Sequence, residues 1–259
     1  MEDLDPPRVV PRAADEILRA LEACGMQWDS AVVCQSARND AYHAALHRLR
    51  QAGRVYPCGC SRREVADSAV AGAEGPVYQG TCRGGMAGSR TARAQRLDTS
   101  GTTVEFDDAL QGRVLCRLDR EYGDFVLYRA DGVYAYQLAV VVDDAEQGIT
   151  DVVRGADLLG STPRQIYLQQ LLGLRRPRYA HLPVAVSERG EKLAKQTFAA
   201  PVDAARPLPA LVAALTFLGQ QPPRELARAT VGELWEWAKK NWKLEQVPRV
   251  TSAPVPANA

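Results

Sequence analysis

The chain has 259 residues, 46% hydrophobic and 24% charged, with 32 basic against 31 acidic side chains. This is the composition of a globular protein with apolar material for one or two cores, and it excludes disordered and collagen-like classes. No stretch reaches the ~18 uncharged apolar residues of a membrane span. Met1-Glu2-Asp3-Leu4-Asp5 lacks the basic flank and apolar run of a secretion signal, so a cytoplasmic protein with no membrane partner is expected.

In chain order, Pro6, Pro7 and Pro11 form a rigid entry to a helix over Ala13–Cys24, where Ala14, Ile17, Leu18 and Leu21 recur at helical spacing. Asp15 and Glu16 sit at its start, where the helix dipole favours negative charge. A second helix is expected over Ala37–Ala52, with Tyr42, Ala45, Leu46 and Leu49 on one face and Gly53 closing it. His43 and His47 lie at i and i+4 on this helix; without a third ligand they read as a solvated face. Tyr56 to Gly85 carries three cysteines and several glycines, and Met86 to Asp98 reads as an exposed loop.

Strand-like runs follow at Thr102–Phe106, Arg113–Leu118, Phe125–Arg129 and Ala135–Val142, separated by Gln111-Gly112 and Asp131-Gly132 turns. The last is apolar at consecutive positions, as in a strand buried on both faces, and Ile149–Val153 resembles it. A helix carrying Ile166, Leu168, Leu171 and Leu172 comes next. This alternation predicts a parallel α/β sheet whose ligands gather beyond the carboxyl ends of the strands. Leu208–Leu218 and Val231–Trp242 are helical in pattern, and Pro248–Ala259 is expected to be a loose tail.

Three groups of residues carry chemistry. Cys58-Gly59-Cys60 and Cys82 offer thiolates for a tetrahedral zinc, and Tyr78, Ser61 or a water is available as the fourth donor. Such a site would be structural, organising a loop poor in core residues. Cys24, Cys34 and Cys116 read as buried small hydrophobes. The second group rests on lysine usage. The chain holds 27 arginines and five lysines, and two of the five, Lys192 and Lys195, fall in one hexapeptide after the turn residues Glu188-Arg189-Gly190. A compact ammonium kept on such a loop suggests a phosphate contact. The third is Arg154-Gly-Ala-Asp157, where an α/β crevice should open and an arginine can clamp a carboxylate; Tyr136, Asp143 and Asp144 adjoin it.

In order, Glu2-Asp-Leu-Asp-Pro-Pro-Arg8, the Cys-x-Cys with Tyr78 and Cys82, Tyr136-Gln-Leu-Ala-Val-Val-Val-Asp-Asp144, Val153-Arg-Gly-Ala-Asp157, Ser161-Thr-Pro-Arg-Gln165 and Lys192-Leu-Ala-Lys-Gln196 resemble the glutamyl-Q tRNA(Asp) synthetases. The resemblance runs from residue 1 to about 245 and is shared in part with glutamyl-tRNA synthetases. It implies an α/β fold: a Rossmann-like class I synthetase catalytic domain, N-terminally incomplete, with an inserted zinc-binding subdomain and a small C-terminal helical element. The divisions it suggests are 1–55 and 126–200 for the two halves of the catalytic domain, 56–125 for the zinc-binding insertion, 201–247 for the helical element and 248–259 for the tail.

The implied activity is ATP-dependent activation of L-glutamate to glutamyl-adenylate and its transfer to queuosine in the anticodon of tRNA(Asp), by a monomer using ATP with Mg2+ and one Zn2+. On this resemblance Cys58, Cys60, Tyr78 and Cys82 are the zinc ligands and Glu2, Tyr136 and Arg154 contact glutamate. Lys192 and Lys195, in the loop corresponding to the family's KMSKS motif, bind ATP, with Lys195 catalytic. Two departures stand out. The strand, loop and helix bearing the HIGH motif have no counterpart, so Met1 is expected to be an internal methionine or the start of a truncated copy. Ala194 replaces the usual serine and removes a hydroxyl worth ~1 kcal/mol of bonding. The rival readings are a remnant serving as a zinc-containing tRNA-binding module and a compact glutamyl-tRNA synthetase.

Overall fold

A computed structural model describes residues 1–5, 9–67, 70–86, 88, 90–193 and 201–255. Helix α1 spans Ala13–Ala23 and α2 spans Asn39–Gln51; Gly53, at φ +66°, then turns the chain into strand β1, Val55–Cys58. Helix α3 (Arg62–Asp67) and the hairpin β2 (Val70–Gly72) and β3 (Gly75–Val77) precede β4 (Ala94–Leu97), β5 (Thr103–Asp108), β6 (Gly112–Arg117), the single turn α4 (Leu118–Glu121) and β7 (Val126–Tyr128). Then come α5 (Tyr136–Glu146), β8 (Asp151–Gly155), α6 (Ser161–Leu172), β9 (Arg178–Leu182), β10 (Val184–Val186), α7 (Leu208–Phe217), α8 (Val231–Asn241) and β11 (Ser252–Pro254). No described helix is long and apolar enough to cross a membrane.

The chain divides into two compact units, the first of Met1–Pro7, Val33–Val152 and Leu158–Ala180, the second of Arg8–Val32, Val153–Asp157 and His181–Ala259. The first has its core between helices and sheet. Tyr42, Leu46 and Leu49 of α2, Leu138, Ala139, Val141 and Val142 of α5, and Ile166, Leu168 and Leu172 of α6 pack with Val104 and Phe106 of β5. In the second unit Cys24, Leu211, Leu215, Leu234 and Ala238 form a separate small core. There α8 starts with a capping box, in which the Thr230 side chain accepts from Glu233 N and the Glu233 carboxylate accepts from Thr230 N.

The sheets are mixed. One has the order β6-β5-β9-β8, with β5 antiparallel to β6 along its whole length and parallel to β9 through Asp108 and Tyr179. A second, β1-β4-β7, is antiparallel throughout. The expected parallel arrangement is therefore confined to a minority of the pairings. Strand β4 also occupies part of what reads in sequence as the 86–98 loop, its Ala94–Leu97 finding partners in β1 and β7.

The largest correction concerns Ala135–Val142, which forms the first two turns of α5 instead of a strand. Its β-branched valines favour strand, but Leu138, Ala139 and Val142 recur at helical spacing, and α5 lies against both α2 and α6. A helix covered on two sides is apolar at nearly consecutive positions, as a buried strand is. The strand after it, β8, stands at a sheet edge, so Val153 is 63% exposed where burial on both faces was expected. Ser252–Pro254, inside the expected loose tail, pairs in parallel with β10 as β11. A proline is tolerated there because the strand is an edge.

Helix α5 is also tied down by charge. The buried Asp143 carboxylate accepts from Gln35 Nε2 at 2.8 Å, from Tyr42 Oη at 3.0 Å and from Arg38 Nε at 2.7 Å, and Arg38 also donates to Glu146. Removing one member of such a buried, paired set strands the others. Asp143→Ala is expected to lower the unfolding free energy by about 3 kcal/mol, measured by urea denaturation.

Candidate functional site

The cysteine constellation assembles from three segments of the first unit. Strand β1 delivers Cys58, and the chain then passes Gly59, where a Cβ would lie 3.0 Å from the Thr91 carbonyl, to reach Cys60. Strand β3 delivers Tyr78, and a turn closed by Arg83 N donating to Gly80 O presents Cys82. The three Sγ atoms lie within 4.8 Å of one another. Tyr78 Oη stands 3.3 Å from Cys58 Sγ and 3.6 Å from Cys60 Sγ, and Cys60 and Cys82 Sγ are 3.6 Å apart.

A tetrahedral zinc with sulfur donors at about 2.3 Å and an oxygen donor at about 2.0 Å spaces sulfur from sulfur by about 3.8 Å and sulfur from oxygen by about 3.5 Å. The donor set fits that geometry. Cys58, Tyr78 and Cys82 are buried, so the site is closed on most sides. Burial pushes the Cys82 thiol up, but hydrogen bonds from Tyr78, the Gly59 N–H and the neighbouring cysteines outweigh it and bring the group down to about 7. Burial, followed by the surrounding cysteines, raises Tyr78 above the usual phenol range. The Arg96 guanidinium lies 4.0 Å over the Tyr78 ring and Cys82 N donates to its oxygen at 3.0 Å, both favouring negative charge there.

These ligand segments are held by Asp124, a residue to which the sequence reading gave no role. Its carboxylate accepts from Tyr56 Oη at 2.5 Å, from Arg83 Nη2 at 2.6 Å, and from both the N–H and the hydroxyl of Thr99 at 2.8 Å. Its own N–H donates to the Tyr78 carbonyl. Only glycine fits before it: Gly123 sits at φ +67°, and a Cβ there would come within 2.5 Å of Tyr78 O.

The residues expected to bind glutamate and ATP are distributed over both units. In the first, Glu2 is exposed on a segment fixed by Gln35 N donating to Met1 O and Ser36 N to Asp3 Oδ1, and Tyr136 opens α5, half-buried. In the second, Arg154 is half-buried on β8, its Nε donating to Nε2 of His181 at 3.1 Å. His181 is fully buried, and accepting at Nε2 requires its neutral form. Lys192 follows a hairpin in which Ser187 N donates to Glu191 O, and its ammonium pairs with Asp157 at 2.5 Å. Lys195 lies outside the described residues, as does Ala194. His43 and His47 are exposed and stacked at 6.4 Å, and the cysteines form the only metal-capable cluster among the described residues.

The catalytic-domain model for class I tRNA synthetases of the E and Q type matches residues 1–225. The glutamyl-Q tRNA(Asp) synthetase of Aromatoleum aromaticum is 56% identical over 256 residues, spanning 99% of this chain and 81% of that protein. That of Dechloromonas aromatica is 55% identical over 259 residues, spanning 99% and 86%. The chain belongs to the glutamyl-Q tRNA(Asp) synthetase family. Among solved structures, a glutamate-tRNA synthetase from Elizabethkingia anophelis matches with a TM-score of 0.75 at 22% identity, over 99% of this chain and 60% of that one. A glutamate tRNA ligase from Elizabethkingia meningosepticum matches with a TM-score of 0.74, also at 22% and also over 60% of its length. These two show the fold, the mixed α/β catalytic domain of class I.

As a member of the glutamyl-Q tRNA(Asp) synthetase family, the protein is a ligase of the aminoacyl-tRNA synthetase class. Its supporting residues, Asp124 and His181, were missed because each acts through partners distant in sequence: His181 is 27 residues from Arg154, and Asp124 is 68 from Tyr56. Cys24 and Cys116 are buried as expected, but Cys34 is exposed at the start of the Gln35–Ala37 turn. Burial, with Glu121 nearby, pushes the Cys116 thiol up to about 12. Replacing Cys82 with serine is expected to lower the unfolding temperature by several degrees more than replacing Cys116, read by differential scanning calorimetry with and without a chelator; equal shifts would argue against a metal at Cys82.

Proposed function

We propose that the protein activates L-glutamate with ATP to glutamyl-adenylate and transfers the glutamate to queuosine in the anticodon of tRNA(Asp). The observation that carries this reading is the 56% identity, over 99% of the chain, to a protein named for that reaction. In the first step a glutamate carboxylate oxygen attacks the α-phosphorus of ATP and pyrophosphate leaves. In the second, a nucleophile on queuosine attacks the acyl carbon and AMP leaves.

The chain's own residues divide the work by chemistry. Arg154, its plane fixed by His181, suits a bidentate bond to a glutamate carboxylate. Tyr136 and Glu2 offer a phenol hydroxyl and a carboxylate for the ammonium end. Lys195 and Lys192 suit the phosphates, with Mg2+ sharing their charge. Lys192 is held beside Asp157 by their ion pair, and an incoming phosphate would compete for the same ammonium. Stabilising charge on the leaving pyrophosphate is electrostatic catalysis and needs no covalent enzyme intermediate.

Cys58, Cys60, Tyr78 and Cys82 are the residues that would hold zinc, whose contribution is structural: four donors cross-link β1, β3 and the Gly80–Arg83 turn. Purified protein is then expected to contain about one zinc per chain by elemental analysis.

The direct test is glutamate-dependent exchange of labelled pyrophosphate into ATP, followed by labelling of tRNA(Asp) with and without queuosine. Exchange, and label only on the queuosine-bearing tRNA, is the expected result. Label on the terminal adenosine would speak for glutamyl-tRNA synthetase chemistry, and binding without exchange for a tRNA-binding module. Arg154→Ala is expected to raise the KM for glutamate by roughly 10- to 100-fold, the loss of a charge-assisted hydrogen bond.

A further inference from the structure

Beside the cysteine constellation, within the first unit, opens a cavity of about 740 Å³ that the residues assigned above to glutamate, ATP and metal leave unexplained. It is lined by Cys60 and Ser61, Arg62 and Val65 of α3, Pro76 of β3, Arg93, Ala94 and Arg96, and Val126, Arg129 and Ala135. Its lining includes a candidate zinc ligand, Cys60, and the residue preceding Tyr136, Ala135. Its size is that of a site for a ligand of a few hundred daltons.

The lining is strongly basic, with four arginines, Arg62, Arg93, Arg96 and Arg129, against one carboxylate, Asp131. Two of the four are spoken for. Arg129 is paired with Asp131 and Asp5, and Arg96 donates from Nη1 to the Asp124 carbonyl while its face covers Tyr78. Even so, Arg96 Nε is buried with no acceptor among the described residues. Arg62 and Arg93 are exposed at the rim and make no ion pair or side-chain hydrogen bond among the described residues. Between these cations the wall is apolar, from Val65, Pro76, Ala94, Val126, Ala130 and Ala135.

Guanidiniums at the rim of an apolar slot match one ligand chemistry: a flat base with a phosphate attached. A purely anionic small molecule would leave the apolar wall unused, and an apolar ligand would leave the guanidiniums unmatched. We infer that this cavity binds a phosphate-bearing nucleotide of an unpaired RNA strand, the base against the Val65–Pro76–Val126 wall and the phosphates at Arg62 and Arg93. The inference rests on the proposed function to the extent that the strand is the tRNA anticodon loop, which would then approach over the cysteine-bearing segments. Base stacking on arginine and alkyl surface tolerates any sequence, so the cavity would position the loop without reading it.

The test is fluorescence-anisotropy titration of the protein with a labelled stem-loop of the tRNA(Asp) anticodon arm, at several salt concentrations, for the unaltered protein, R62A/R93A and R62K/R93K. The expected result is at least tenfold weaker binding for R62A/R93A, with its log–log salt slope shallower by about 1.4, two phosphate contacts at about 0.7 each on a single strand. R62K/R93K should keep most of the slope. Unfolding temperatures within a degree or two of one another establish that the rim variants are folded. Unchanged affinity and slope in R62A/R93A overturn the inference, as does a failure of the unaltered protein to bind the stem-loop. So does a free nucleoside monophosphate that displaces the stem-loop at comparable concentration, since the site would then belong to a small molecule. Pyrophosphate exchange on the unaltered protein judges the activity separately, so the two can fail independently.

Discussion

A single buried carboxylate organises the half of the first unit that carries the cysteines. The Asp124 side chain is fully buried, and a carboxylate removed from water without compensation would cost several kcal/mol. The protein compensates with Tyr56 from β1, Arg83 from the turn that presents Cys82, and Thr99 from just beyond β4. Tyr56 and Arg83 adjoin Cys58 and Cys82, so satisfying one charge sets the spacing of those two residues. Asp124 N–H, donating to the Tyr78 carbonyl, ties in the third segment of the constellation. These hydrogen bonds position the donor segments by themselves, which lessens the ordering that a metal would have to impose.

Arginine dominates this chain, and the structure shows where that matters. Arg38 joins Asp143 and Glu146, Arg83 joins Asp98 and Asp124, Arg129 joins Asp5 and Asp131, and Arg178 meets Asp151 through two nitrogens. A planar fork serves two acceptors at fixed angles, which an ammonium does not. The lysines stand apart, Lys192 on the loop after β10 and Lys239 and Lys240 in the last turn of α8, where positive charge suits the helix dipole.

How much of this was legible in the sequence depended on whether the signal was local. Helices α1, α2 and α8 announce themselves by 3.6-residue periodicity, and the β5–β6 hairpin by alternation around Gln111-Gly112. The clustering of Cys58, Cys60 and Cys82 was legible too, since thiols two apart are unusual and a third follows closely, whereas Tyr78 was singled out only by the family resemblance. Helix α5 was not, because burial on two faces erases the periodicity that separates helix from strand. Strands β4 and β11 were not, because their partners, β1 and β7 for one and β10 for the other, set their conformation, and their own polar or proline-bearing residues do not. The supporting residues Asp124 and His181 escaped for the same reason: an isolated Asp or His has no pattern until folding brings its partners to it.

The pairing of β10 with β11 reaches further than its three residues suggest. Strand β10 leads directly into the hairpin that bears Lys192, and Val186 bridges to Lys192 itself. The backbone of β11, with Val184 donating to Thr251 and Val255 donating to Val186, therefore clamps the stem of that hairpin from the far side. Residues 251–255 share the rigidity of a loop some sixty positions earlier, so heterogeneity introduced there by a fused tag or a proteolytic nick would be transmitted along hydrogen bonds to the lysine hairpin.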